Sequence, residues 1–188
     1  MEATGFVLAG GASTRMGRDK ALLPYRGATL VKYIASVVEQ AAGSVALIGD
    51  ERRYRDLGYP VYADKIPHCG PMGGIYTALS VTATDWNLVV ACDMPLLSAE
   101  VLERLVERAF KSSADCIVGT ASGEPEPLCA AYHRRLLPAL EGAIADKRLK
   151  MKDLIAEFKF EPMALAEPGA LANVNTPADW VRFANLPA

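Results

Sequence analysis

A three-layer α/β domain of Rossmann type, with a mostly parallel sheet covered by helices on both faces, is the fold this sequence predicts. Three observations carry the prediction. Short apolar runs, which read as fully buried strands, alternate along the chain with segments whose apolar residues recur at helical spacing. Glycines or acidic residues follow directly on several of these runs, as at strand ends that open into turns. The 188 residues suit one such domain, so 1–188 is read as a single unit without repeat, linker or low-complexity segment.

The elements follow in order. Gly5 to Ala9 is a buried strand that stops at Gly10 and Gly11. Thr29 is the N-cap of a helix in which Leu30, Tyr33, Ile34, Val37, Val38 and Ala41 share a face, and Gly43 closes it. Val45 to Ile48 and Pro60 to Tyr62 are strands, the second leading to Asp64. Gly73 to Ala83 is a helix with Ile75, Ala78 and Leu79 facing inward, and Asn87 to Cys92 is a strand running into Asp93. From Ser98, the residues Val101, Leu102, Leu105, Val106, Ala109 and Phe110 trace another amphipathic helix. Ala114 to Val118 and Leu128 to Tyr132 are strands, whereas Leu136 to Ile144 and Lys150 to Phe158 are helices. Thr176 as N-cap, Pro177 at the first helical position and Asp179 in the first turn open the last helix, whose buried face is Trp180, Val181 and Ala184.

Composition narrows the function. A net charge of -2 with mixed signs provides no basic field for a nucleic-acid backbone. No apolar run approaches the roughly 18 residues of a membrane span, and no basic region precedes an apolar stretch with a cleavage site. Cys69, Cys92, Cys116 and Cys129 form no CxxC pair, and three lie in apolar runs. Reduced core thiols and a cytoplasmic location are expected. His68 and His133 lack companion ligands and read as structural or surface residues.

The most informative stretch is Leu8-Ala9-Gly10-Gly11-Ala12-Ser13-Thr14-Arg15-Met16-Gly17-Arg18-Asp19-Lys20. A strand runs into glycines, hydroxyls and spaced cations, the materials of a phosphate loop. Glycines let backbone N–H groups approach a polyphosphate, and Arg15 and Lys20 can neutralise charge developing in nucleotidyl transfer. This is not a Walker loop, since Arg18 and Asp19 separate Gly17 from Lys20 and Ala21 follows; GxGxxG is also absent. Ligands of open α/β sheets bind at the strands' C-terminal edge. There the Gly10 loop, Asp64 and Asp93 should converge.

Leu8-Ala9-Gly10-Gly11, Ser13, Arg15-Met16-Gly17 and Asp19-Lys20 resemble the signature loop of the MobA family of molybdenum cofactor guanylyltransferases. Gly70-Pro71-Met72-Gly73-Gly74, Cys92-Asp93-Met94-Pro95 and Asn173-Val174-Asn175-Thr176-Pro177 resemble the family's later motifs, in order. The resemblance covers nearly the whole chain. It implies a magnesium-dependent nucleotidyltransferase that joins GMP from GTP to the phosphate of Mo-molybdopterin, with Arg15, Lys20 and Asp93 as catalytic residues.

By the same resemblance, Leu8, Ala9, Gly10, Gly11, Lys20, Asp50, Asp64 and Asp93 bind the nucleotide, and Asp93 with Asn175 holds Mg2+. Magnesium takes oxygen ligands and usually only one or two protein carboxylates. Asn173 alternates with Asn175 and should share its face; a structural turn role for either stays open. Gly70, Gly73 and Gly74 precede a helix whose N-terminal amides suit an anionic group, though a simple turn also explains them. At Asp50 the family commonly carries asparagine nearby, whereas this chain has Gly49 and Asp50. Gly11 is the second glycine typical of guanylyl-transferring members. Molybdopterin and GTP are the expected partners, with transient contact to cofactor-biosynthesis proteins or molybdoenzymes. The rival readings are a cytidylyltransferase of the same build and a non-catalytic nucleotide-binding regulator.

Overall fold

The computed structural model describes residues 2–10, 19–166 and 169–184. In chain order it holds β1 (Ala3–Leu8), a small hairpin of β2 (Pro24–Tyr25) and β3 (Ala28–Thr29), α1 (Leu30–Ala42) and β4 (Val45–Ile48). Next come α2 (Glu51–Tyr54), β5 (Val61–Tyr62), α3 (Gly70–Val81), β6 (Trp86–Ala91) and α4 (Ala99–Lys111). The remainder is β7 (Cys116–Ala121), β8 (Glu124–His133), α5 (Leu137–Ala145), α6 (Met151–Ile155), β9 (Phe160–Ala164) and α7 (Pro177–Ala184).

Seven strands form one sheet in the order β5-β4-β1-β6-β8-β7-β9. β1 lies at its heart, parallel to β4 on one side and β6 on the other. Among the described strands of this sheet, only β8 runs against its neighbours. Its direction has a local cause: Ser122 and Gly123 both adopt positive φ, 53° and 84°, the geometry of a two-residue hairpin turn matched to strand twist. β7 must therefore return antiparallel as β8. β9 then adds to β7 in parallel at the sheet's edge.

Both faces of the sheet are covered, which explains why the strands read as unbroken apolar runs. Successive residues face opposite layers. Val7 and Leu88 meet Ile34 and Val38 of α1 and Leu102 and Leu105 of α4. Phe6, Leu8 and Val89 meet Met72 and Ile75 of α3, together with Leu140 of α5 and Leu154 of α6. All four cysteines are buried and unbridged, and burial pushes the thiols of Cys92, Cys116 and Cys129 up to about 12.

Helix ends follow the local signals. Gly43 closes α1 in the left-handed region at φ 83°, where glycine has no Cβ penalty. Ser98 Oγ accepts from the Val101 N–H at 3.4 Å and opens α4. Thr176 and Asp179 cap α7 reciprocally, at 3.1 and 2.8 Å. One expectation for α7 is corrected: Val181 is 61% exposed, and Phe183 is buried instead. The helix leans on Trp180, whose ring lies 6.0 Å from Tyr25, so the inward face is residues 180 and 183 while residue 181 turns out. The side chain of Ala184 lies outside the described residues. No described helix is long and apolar enough to cross a membrane.

Candidate active site

The parallel strands level off where β1, β4 and β6 end. The Ala9 N–H donates to the Ile48 carbonyl at 2.8 Å and the Cys92 N–H to the Leu8 carbonyl at 3.1 Å. Gly10 leaves the sheet there. The expected phosphate roles of Gly11 and Arg15 lie outside the described residues. The chain re-enters at Asp19, whose Oδ1 accepts from the Ala21 N–H at 3.1 Å and caps a short 3-10 turn, Lys20–Leu22. That cap sets the direction in which Lys20 leaves the backbone.

Lys20 carries its ammonium into an oxygen cage. Its Nζ donates to Asp93 Oδ2 at 2.6 Å, the Val174 carbonyl at 3.2 Å and Asn175 Oδ1 at 3.2 Å. Three N–H groups thus meet three acceptors. Asp93 stands just past β6, and its own carbonyl accepts from the Val174 N–H at 2.8 Å, which docks the 173–175 segment beside it. The Asn175 N–H donates to Asp179 Oδ2 at 3.0 Å, so the start of α7 holds this asparagine in place. Asp93 Oδ1 and Asn173 Oδ1 are buried without a hydrogen-bond partner among the described residues. Buried oxygens in that condition are costly unless a cation or water satisfies them.

A cleft of about 520 Å³ opens next to this cage, lined among others by Leu8, Gly10, Asp64, His68, Gly70 and Gly74, with Lys20 and Asp93 at one side. Asp64 Oδ2 faces Gly10: a Cβ built there would come within 3.9 Å of it. The loop carrying Asp64 is moored by the Lys65 N–H, which donates to the buried Thr77 Oγ1 of α3 at 3.0 Å. Partial desolvation beside the cleft raises the Asp64 carboxyl above its ordinary value.

Residues 5–161 match the family described as MobA-like NTP transferase domain. The chain belongs to that family. It is 33% identical over 185 residues to a Flavobacterium johnsoniae protein named a probable molybdenum cofactor guanylyltransferase, covering 97% of this chain and 96% of the relative. A protein of the same name from Carboxydothermus hydrogenoformans is 34% identical over 187 residues, covering 96% and 94%. The crystal structure of molybdopterin-guanine dinucleotide biosynthesis protein A from Archaeoglobus fulgidus superposes with a TM-score of 0.82 at 25% identity, covering 96% of each chain.

In this MobA-like nucleotidyltransferase the expected site residues do not all meet. Leu8, Gly10, Lys20, Asp64, Gly70, Gly74 and Asp93 line the cleft, while Ala9 is buried and outside its lining and Asn175 touches Lys20. Gly73 does not line it: its Cα is pressed against α3's approach loop, where an added Cβ would lie 2.9 Å from the Ile66 carbonyl oxygen. Asp50 caps α2, accepting from the Arg52 N–H at 2.9 Å, and pairs with Arg53 at 3.3 Å. Sequence reasoning missed two residues. His68 lines the cleft with a left-handed backbone, φ 66°, and Tyr54 of α2 reaches the loop ends. His68 stands two residues ahead of Gly70-Pro71, a position that offered a signal; Tyr54 offered none.

Proposed function

We propose that this protein transfers GMP from GTP to the terminal phosphate of Mo-molybdopterin, forming the guanine dinucleotide cofactor and releasing pyrophosphate. The observation that carries the reading is the Lys20 cage: a cation held by Asp93, Asn175 and the Val174 carbonyl at the edge of a nucleotide-sized cleft, in a chain whose relatives bear guanylyltransferase names over nearly their full length.

The chemistry needs no strong general base, because the attacking phosphate oxygen is already ionised at neutral pH. That oxygen forms the new bond to the α-phosphorus as the bond to the bridging oxygen of pyrophosphate breaks in line. Lys20 and Arg15 offset charge growing on the transferred and leaving phosphates, and the Gly10 backbone lets the triphosphate approach. Asp64 accepts both hydrogens on the guanine edge. The oxygen set fits magnesium: Asp93 Oδ1 and Asn173 Oδ1 are buried and without partners among the described residues, and Asn175 Oδ1 lies beside Lys20. Asp93 and Asn175, with Asn173 beside them, would hold Mg2+ there, and the ion would supply positive charge to offset the charge growing on the phosphates. The four buried, unbridged thiols fit work in the reducing cytoplasm, with the product passed on by transient contact to a molybdoenzyme or its assembly partners.

The test is transfer from each of the four NTPs to purified Mo-molybdopterin in magnesium buffer. The expected result is a GTP over CTP preference in kcat/KM of roughly 10- to 200-fold, as Gly11 in the second glycine position implies by resemblance. Equal or CTP-favouring values would make the protein a cytidylyltransferase, and nucleotide binding without transfer would make it a regulator.

A further inference from the structure

Tyr54 joins the end of β1 to the turn that carries Lys20. Its hydroxyl lies 2.7 Å from the Ala9 carbonyl oxygen, just before Gly10, and 2.8 Å from Asp19 Oδ2, just before Lys20. One proton serves two acceptors, so the hydroxyl bridges Ala9 and Asp19. The side chain is buried, with the residue 2% exposed. Burial first, then the hydrogen bond and charge of Asp19, keep the phenol protonated and hence a donor throughout the working pH range. Arg53 Nη1 adds a weaker, exposed contact to Asp19 at 3.3 Å.

The ring reaches this place because Gly49 has no side chain. A Cβ at Gly49 would stand 2.9 Å from Tyr54 Cε2 and 3.2 Å from Cδ2, a collision that a buried ring cannot relieve cheaply. Gly49, Tyr54, Ala9 and Asp19 thus form one contact chain. The other Asp19 oxygen holds the Ala21 N–H, so the tether continues into the turn that aims Lys20 at Asp93.

We propose that Tyr54 is a positioning residue that ties Asp19 to the Ala9 carbonyl before nucleotide arrives, so that this part of the site is already set in the free protein. The inference rests on the reading that GTP binds beside Gly10 and Lys20. A preorganised site lowers the cost of binding rather than the barrier of the chemical step. Losing the tether must therefore weaken nucleotide affinity more than it slows bound substrate.

Tyr54→Phe removes the hydroxyl and keeps the ring against Gly49; Gly49→Ala keeps the hydroxyl and displaces the ring. Three measurements test them against the wild type: hydrogen exchange at the Ala21 amide in the free protein, the Kd for GTP with magnesium, and kcat at saturating GTP. In both variants exchange at Ala21 is expected to be several-fold faster and the Kd about tenfold weaker, with kcat within about threefold. Unchanged exchange at Ala21, an unchanged Kd, or a large loss of kcat at constant Kd would overturn the proposal. A purely structural role would lower the melting temperature and leave Kd alone at temperatures far below the melt. A wild-type protein that bound no GTP would sink the functional reading instead, and exchange at Ala21 would still decide whether the tether exists.

Discussion

Lys20 Nζ sits 2.6 Å from Asp93 Oδ2, with the Lys20 and Asp93 side chains 19% and 15% exposed, so the carboxylate already has a cation. On the proposed assignment of Mg2+ to Asp93, a divalent ion would compete with that ammonium for one carboxylate until a triphosphate gave Lys20 another anion to hold.

Replacing Lys20 by Met should therefore have opposite effects on metal and catalysis. Mn2+ binding without nucleotide, followed by the electron paramagnetic resonance signal of free ion, should tighten about tenfold, which corresponds to about 1.4 kcal/mol. Turnover should fall roughly 100-fold or more, as expected when a charge aimed at a developing anion is lost. Asp93→Asn should lose both Mn2+ affinity and turnover, since an amide is the poorer ligand. Unchanged Mn2+ affinity in Lys20→Met would end the idea of competition.

The proposed contact of Asp64 with the base would be sensitive to pH. Partial desolvation beside the cleft raises its carboxyl above the ordinary value, and only the ionised form would accept both guanine N–H groups in the proposed contact. GTP affinity should accordingly fall on acidification, starting at a higher pH than an ordinary exposed aspartate would give. Asp64→Asn should bind GTP roughly 10- to 100-fold more weakly at neutral pH, with that acid limb flattened. Stability of the free protein runs the other way. An acid whose folded pKa is raised contributes stability below its unfolded pKa and loses it as pH rises through the folded one. Asp64→Asn should thus stabilise the free protein slightly at neutral pH. A limb of unchanged shape in the variant would remove Asp64 from the base site.

Two glycines should answer oppositely to alanine. At Gly73 the added methyl meets the Ile66 carbonyl oxygen at 2.9 Å and Cys69 Cβ at 3.2 Å, and backbone cannot swing aside. Urea denaturation should show a loss of about 1–3 kcal/mol. At Gly142, inside α5, nothing stands within 4 Å, so alanine should add about 0.5–1 kcal/mol through helix propensity alone. Equal effects at both positions would contradict the close approach of α3 to its preceding loop.

Much of the fold was legible because its signals are local. Buried strands read as apolar runs, α1 and α4 announce themselves by periodicity, and Gly43, Ser98 and Thr176 mark ends through hydrogen bonds spanning only a few residues. The Ser122-Gly123 turn is also local, yet its consequence, β8 reversing between β6 and β7, is a matter of pairing partners far apart in the chain. The edge strand β9 lay outside every predicted element, since a half-exposed run such as Phe160–Ala164 carries no clear period of its own.

By itself the sequence determined that a glycine loop, Asp64 and Asp93 would follow strands of one sheet, and parallel pairing then brings such strand ends to a common edge. Only the tertiary structure decided which neighbours each would have. Lys20 meets Asp93 across 73 positions and Asn175 across 155, and Tyr54 reaches Asp19 across 35. No periodicity or cap encodes such distances. They arise when strands and helices bury their apolar faces, because that burial fixes the relative placement of backbones and leaves the polar side chains at their ends to find partners. Asp50 shows the limit from the other side: its resemblance to a nucleotide ligand came from position alone, while the fold gives it the first turn of α2 to cap and Arg53 to hold.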